Sequence, residues 1–400
     1  MPDASAPLAP PLARAAVRAL EASQIRAVAN AGIGDPDVLA FWFGEPDAVT
    51  PEFIRAAAAE SLARGETFYT QNFGLPELRE AIARYVTELH GPVACERIAV
   101  TASGMSALMV AVQALVGAGD RVVAVTPLWP NLTEIPKVLG ASVVTVPLRM
   151  AADGFTLDVD RLIDALTPRT RALLLNSPNN PTGWTIDARA QARIFAHCRR
   201  HGIWIIADDV YERLYYDDEA ATAPSFLALA APDDRLVSTN SFSKAWSMTG
   251  WRLGWTVAPP ALMPELGKLI EYNTSCSPAF VQRAGVVALR EGESTVAAFR
   301  ARLRHARDRL VGALRALPGI DLVAPRGAMY AFFRVQGLTD SVAFCTRLVR
   351  EAHLGLAPGR AFGPEGEGFV RWCFAADDAR LDEGVSRLAG FVARDSGGSA

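Results

Sequence analysis

Cysteine is scarce in this chain and never closely paired: Cys95, Cys198, Cys276, Cys345 and Cys373 lie far apart along 400 residues. That spacing argues against a disulfide framework or a cysteine-based zinc site and fits a reducing cytoplasm. No metal site is expected. An excess of charge of one sign is also missing, with 40 basic against 43 acidic residues, so neither a nucleic-acid nor a membrane surface is expected. Long apolar runs are absent, and no segment is long enough to span a bilayer. The start, Met1-Pro2-Asp3-Ala4-Ser5-Ala6-Pro7, has neither the basic lead nor the apolar centre of a signal peptide. No internal repeat is found. What is present is enough apolar material, at this length, for two domains packed as one body.

From Arg97 onward short β-rich runs alternate with helical stretches or glycine turns. They cover residues 97–102, 121–126, 142–148, 171–175, 203–207, 236–239 and 253–257. Several are continuously apolar, as strands buried on both faces are. The sequence therefore predicts an α/β fold, a large domain with a seven-stranded, mostly parallel sheet covered by helices. The seventh run follows the sixth too closely for a crossover and is expected to return antiparallel. Helices are predicted over 13–31, after Pro51, after the polar, aromatic loop 68–79 to about Leu89, and over 280–289 and 294–317, the last with its charges on a solvated face in i,i+4 pairs. A smaller α+β unit follows, with strands at 320–323, 329–335 and 369–374, helices at 341–351 and 377–393, and a loose tail from Ser396 to Ala400. A proline- and alanine-rich arm opens the chain, and Phe41-Trp42-Phe43 reads as a short strand before the turn Gly44-Glu45-Pro46-Asp47. The expected division is 1–44 for the arm and part of the small domain, 45–293 for the large cofactor-binding domain, and 294–400 for the rest of the small domain. Both chain ends thus build the smaller unit.

Open sheets of this kind collect ligands beyond the carboxyl ends of their strands. The first run ends in Ser103-Gly104-Met105, a small-residue turn opening a helix whose free N–H groups suit a phosphate. Trp129 follows the second run, Asn180-Pro181-Thr182-Gly183 the fourth, and Asp208 and Tyr211 the fifth. The sixth leads into Ser241-Phe242-Ser243-Lys244, with Arg252 eight positions on. Taken alone, Lys244 reads as a solvated surface lysine. At a strand mouth it reads as a desolvated amine able to form a Schiff base. The chemistry that needs the whole set is pyridoxal phosphate catalysis. Lys244 would hold the cofactor as an aldimine and then carry a proton, while Asp208 keeps the ring nitrogen protonated. Tyr211 and Asn180 would donate to the ring oxygen, Trp129 would stack on the ring, and Ser241, Ser243 and Arg252 suit the phosphate.

These motifs resemble the class I/II aminotransferases of the fold-type I pyridoxal phosphate superfamily, the group that holds aspartate and aromatic aminotransferases. Asn180 stands 28 positions before Asp208, and Asp208 stands 36 before Lys244, as in that family. The resemblance runs from the Gly44 turn to Arg371. It implies an enzyme that moves an amino group from an α-amino acid to a 2-oxo acid with pyridoxal 5'-phosphate. It further implies that Ser103, Gly104 and Met105 form the phosphate turn, with the N–H groups of Gly104 and Met105 as donors. Tyr69 matches a tyrosine that reaches the phosphate from the neighbouring subunit, which implies a homodimer with shared sites. Arg371 matches the arginine that grips the substrate α-carboxylate, joined by Asn180 and a backbone contact from Gly44.

Two departures bear on the substrate. The stretch Asn273-Thr274-Ser275-Cys276-Ser277-Pro278 has no arginine for a second carboxylate, so a strictly dicarboxylic donor is not expected. The aromatic plate is reduced to Trp129, with Asn131 and Leu132 behind it; Trp42, Phe43 and Trp184 are candidate walls of an apolar side-chain pocket. Carbon–sulfur lyases, synthases, decarboxylases and oxidases use the same residues on this fold, so the set fixes the cofactor better than the reaction. A non-catalytic ligand-sensing module ranks below both, because the catalytic set is complete and only about forty residues precede the glycine turn.

Overall fold

Residues 12–397 are described by a computed structural model. They begin with helices α1 (Ala15–Arg18) and α2 (Gln24–Ala29), the short strand β1 (Leu39–Ala40), and helices α3 (Glu52–Ala63) and α4 (Pro76–His90). Strands and covering helices then alternate: β2 (Ile98–Thr101), α5 (Gly104–Leu115), β3 (Arg121–Thr126), α6 (Pro130–Val138) and β4 (Ser142–Pro147). A hairpin of β5 (Arg149–Ala151) and β6 (Gly154–Thr156) precedes α7 (Val159–Ala165), β7 (Thr170–Asn176), α8 (Ala188–His201), β8 (Trp204–Asp208), β9 (Leu236–Ser241) and β10 (Gly254–Val257). Helices α9 (Met263–Thr274), α10 (Ala279–Glu291) and α11 (Glu293–Arg315) lead to the last part of the chain. There β11 (Ile320–Asp321), β12 (Tyr330–Val335), α12 (Ser341–Ala352), β13 (Leu354–Gly355), β14 (Ala357–Pro358), β15 (Phe369–Cys373) and α13 (Asp378–Gly397) follow.

The main sheet has seven strands in the order β2-β10-β9-β8-β7-β3-β4. All run in one direction except β10, which lies antiparallel between β2 and β9, as the sequence predicts. Its middle strands are apolar on both faces: Leu173, Leu174, Ile205, Ile206 and Val237 are almost wholly buried. Burying each such side chain contributes roughly 1.5–3 kcal/mol, so the central strands anchor the domain. The edge strand β4 is half open to solvent instead. One consequence matters for function. The carboxyl ends of β2, β3, β7, β8 and β9 all face one side.

Caps hold the loops at that side in place. Ser103 accepts from the N–H of Ser106 at 3.0 Å and starts α5 just after β2. Asp187 accepts from Ala190 at 2.8 Å to start α8, which Gly202 stops in the left-handed region at φ 65°.

A second sheet, β11-β12-β15-β14, is packed by α11 and α12, and β1 pairs in parallel with β13. One apolar cluster joins Ile25, Val28 and Trp42 from the first residues to Phe332, Phe344 and Trp372 from the last.

Four expectations are corrected. The helix over 13–31 is two helices: α1 packs on α6 while α2 packs on α12 and β14, and Ser23 caps the second after a break. The strand expected at Phe41-Trp42-Phe43 lies at Leu39–Ala40, where the backbone meets β13. The arginines of α11 do not form the expected i,i+4 pairs among the described residues: Arg302 pairs with Asp47, Arg304 with Asp218 and Arg309 with Asp382 across space, and Arg307 with the adjacent Asp308. The last helix runs through Ser396 to Gly397, four residues past the expected end. Residues 1–11 of the expected arm and 398–400 of the expected tail lie outside the described residues. Among the described residues no helix is long and apolar enough to cross a membrane.

Candidate active site

A cavity of about 570 Å³ opens where the carboxyl ends of the main sheet face β12 and β15 of the second sheet. Lys244 rises into it three residues beyond the end of β9. Its Nζ donates to the carbonyl of Gly44 at 2.6 Å, so the Gly44 turn and the lysine share one wall. Burial lowers the ammonium to about 8, with Cys373 pushing it up and Arg371 pushing it down. A lysine so shifted keeps a reactive neutral fraction that a solvated one lacks.

Asp208 closes β8 on the cavity floor. Burial and then the charge of Asp209 raise its carboxyl to about 7, against the pull of the Val210 N–H and Lys244. Its Oδ1 is buried and has no hydrogen-bond partner among the described residues. Asn176, the last residue of β7, donates from Nδ2 to the Asp208 carbonyl at 3.0 Å and accepts the Asn180 N–H at 2.8 Å. The Asn180 carbonyl in turn accepts the N–H of Trp129 at 3.0 Å, which brings that indole to the cavity wall.

Arg371 enters from β15 and is 2 % exposed. It donates from Nη1 to Asn180 Oδ1 at 3.1 Å and from Nη2 to the carbonyl of Trp42, while Nε is unpartnered among the described residues. The guanidinium lies 4.5 Å from the ring centre of Tyr330. Tyr330 also meets Tyr211, hydroxyl to hydroxyl, at 2.6 Å.

The opposite wall suits an anion. Gly104 and Met105 open α5 there, and the hydroxyls of Ser241 and Ser243 stand 2.9 Å apart. Arg252 joins them from a left-handed backbone at φ 55°, with Nη1 on the Thr249 carbonyl at 2.6 Å. The backbones press close: a Cβ on Gly254 would come 2.6 Å from the Gly104 nitrogen, so β10 needs glycine at this point.

Of the cofactor- and substrate-binding residues expected from the sequence, two do not line this cavity. Ser103 lies beneath α5, where its hydroxyl caps the helix. Tyr69 is 90 % exposed on the outer surface, beside the exposed Phe68. Trp42 and Phe43 do form a wall, but Trp184 packs in the core under the sheet. Sequence reasoning misses Asn176, Tyr330, and Ser23, Ile25 and Arg26 at the rim, where the Arg26 guanidinium lies 4.8 Å over the Phe43 ring. Asn176 stands four residues before a recognised motif and is the one a closer reading could find.

Pyridoxal phosphate fits this cavity. An unpartnered buried carboxylate oxygen faces a lysine across it, and the hydroxyl, guanidinium and helix N–H groups gather at the far end.

A family profile for "Aminotransferase class I and II" matches residues 36–388. An aspartate aminotransferase of Pyrococcus horikoshii is 35 % identical over 373 residues, covering 92 % of this chain and 94 % of that one. An arginine–pyruvate transaminase of Pseudomonas aeruginosa is 34 % identical over 91 % of this chain and 92 % of its own length. The crystal structure of an aromatic aminotransferase from Pyrococcus horikoshii superposes with a TM-score of 0.85 at 34 % identity, covering 92 % of this chain and 99 % of that one. Donors differ among these relatives while the architecture does not. The chain belongs to the class I and II aminotransferases, pyridoxal phosphate-dependent enzymes that pass an amino group between an amino acid and a 2-oxo acid.

Proposed function

We propose that this enzyme accepts amino donors with apolar or amphipathic side chains, not dicarboxylic donors alone, and that Lys244 carries the proton at the substrate α-carbon. The single observation behind the chemical reading is the facing pair of Lys244 and Asp208, one lowered to about 8 and the other left with an open oxygen. The donor class is supported by the walls. Trp42, Phe43, Leu108 and Trp129 line the same cavity as Arg371, and residues 273–278 contain no arginine.

Bound pyridoxal phosphate supplies an aldehyde for the amino group and a ring that takes up the electron pair released at the α-carbon. The protein's residues do the rest. Gly104, Met105, Ser241, Ser243 and Arg252 hold the phosphate, and Trp129 covers one ring face. Asp208 would keep a proton on the ring nitrogen, because its open, buried carboxylate oxygen has no hydrogen-bond partner among the described residues. Tyr211 and Asn180 donate to the ring oxygen. Arg371 binds the α-carboxylate through its guanidinium and sets the α-hydrogen toward Lys244, whose neutral amine takes it.

Tyr69 contributes to this reading from outside the chain's own cavity. Its exposure, shared by Phe68 and Tyr272, supports a homodimer in which it completes the partner's phosphate site. The chain ends that share one apolar cluster support a small domain of residues 1–44 and 294–400 beside a large domain of 45–293. The cysteines are all free, which agrees with a cytoplasmic enzyme.

The test is steady-state kinetics with paired amino donors and oxo acids. Parallel double-reciprocal lines are expected, as for any reaction in two half-steps, with aromatic and aliphatic donors at least matching aspartate. Turnover with aspartate or glutamate alone would contradict the donor class, and ordered sequential kinetics would contradict amino transfer.

A further inference from the structure

We infer that Tyr330 is a positioning residue of this reaction: its hydroxyl donates to the phenol oxygen of Tyr211 and so directs the Tyr211 proton at the cofactor's ring oxygen. The inference rests on the role proposed above for Tyr211.

Hydrogen bonding sets the direction. The two hydroxyls are 2.6 Å apart, and both side chains are buried, Tyr330 fully and Tyr211 to within 4 %. Either can donate in the free protein, but each phenol has one proton to give. Once Tyr211 gives its proton to a ligand, only Tyr330 can donate between the two.

Packing holds the Tyr330 hydroxyl where that bond needs it. A Cβ on Gly44 would come 2.0 Å from the Tyr330 hydroxyl oxygen, so the oxygen sits in a notch that glycine alone leaves open. The carbonyl of that same Gly44 accepts from Lys244 at 2.6 Å. On its face, the Tyr330 ring carries the Arg371 guanidinium at 4.5 Å, and its plane stands at 79° to the Tyr211 ring. The ring cannot swing away without uncovering a buried cation. Tyr330 therefore joins the phenol of Tyr211, the turn that meets Lys244, and the carboxylate-binding arginine.

A phenol that accepts one hydrogen bond while donating another is the stronger donor. A stronger donor favours the charged ring oxygen, and so lowers the pH at which the loaded enzyme loses its yellow colour.

The experiment is a pH titration of the visible absorbance of the cofactor-loaded enzyme and of its Tyr330→Phe, Tyr211→Phe and double variants. Tyr330→Phe keeps the ring under Arg371 and removes the hydroxyl alone. It is expected to raise the colour midpoint by about half a pH unit, with Tyr211→Phe raising it further and the double variant matching Tyr211→Phe. Affinity for a monocarboxylate substrate analogue should stay within about twofold in Tyr330→Phe, because the ring beneath Arg371 remains. An unmoved midpoint in Tyr211→Phe defeats the Tyr211 role itself. A shift in Tyr211→Phe with none in Tyr330→Phe overturns this inference alone, and so do two shifts that add in full. If Tyr330→Phe does not load the cofactor, Gly44→Ala displaces the same hydroxyl and must raise the midpoint too; no shift there also overturns the inference.

Discussion

Arg371 and Asn180 meet across the cavity, Nη1 on Oδ1 at 3.1 Å, and so tie β15 of the second sheet to the loop that follows β7 of the first. The Trp42 carbonyl takes Nη2, which fixes the guanidinium plane and leaves Nε unpartnered among the described residues. An arginine held this firmly has lost its side-chain freedom before substrate arrives, which reduces the entropy cost of binding.

Replacing Arg371 with alanine should therefore weaken substrate binding by roughly 2–5 kcal/mol, seen as a raised KM for every donor and acceptor. Arg371→Lys should rescue little of it, since an ammonium cannot offer two parallel N–H donors. Near-normal KM values in Arg371→Ala would assign the carboxylate to another group.

Asp208→Asn should slow proton abstraction by about two to three orders of magnitude, as loss of a group aimed at developing charge does. Single-turnover rates with a deuterated α-carbon check it, because the isotope effect must grow as that step becomes limiting. A variant that loses cofactor affinity but keeps its rate when saturated would contradict the role of Asp208.

The cofactor-free protein should lose stability as pH rises. Asp208 is raised by burial and Asp209 to about 7, and Asp209 by burial and Glu212 to about 6. Burial lowers His90, but the charge and hydrogen bond of Glu212, with Asp209, leave it above 6.5. All three hold protons more tightly folded than unfolded, so their contribution is present at low pH and fades as pH climbs through those values. Melting temperatures of Asp208→Asn and the parent, both without cofactor, should diverge in favour of Asp208→Asn between about pH 4 and about pH 8. A constant difference across that range would mean Asp208 does not titrate there.

His90 and Glu212 are paired at 2.7 Å with side chains 3 % and 5 % exposed, and Asn240 donates to the other Glu212 oxygen at 2.6 Å. His90→Ala strips one partner from a buried charge and should cost about 3–5 kcal/mol, read from denaturant unfolding. Because Glu212 lies four residues past Asp208, the site floor should loosen with it.

Much of this was legible in the sequence because each piece obeys a short-range rule. Seven apolar runs became seven strands, and the antiparallel β10 followed from the short connection alone. The parallel order of those strands places the residues at their carboxyl ends on one side from the sequence alone. Helix α9 was hidden because Pro264 and Gly267 lower its propensity, although Met263, Leu266 and Ile270 mark its buried face. Gly267 is there for packing, since a Cβ would meet Phe73 at 2.8 Å. Tyr330 was invisible for another reason. It sits in an apolar strand with no motif, and only the fold brings it to Tyr211, 119 residues away in sequence.

The most direct test of the central claim is the visible spectrum of the cofactor-loaded enzyme with single amino acids and no oxo acid present. The yellow colour should fade with each true donor, leave the matching 2-oxo acid in solution, and return when any accepted oxo acid is added. Lys244→Ala should bind the cofactor and show no such cycle. Colour that persists with every amino acid, or that clears with release of ammonia, sulfide or peroxide, would contradict amino transfer by this chain.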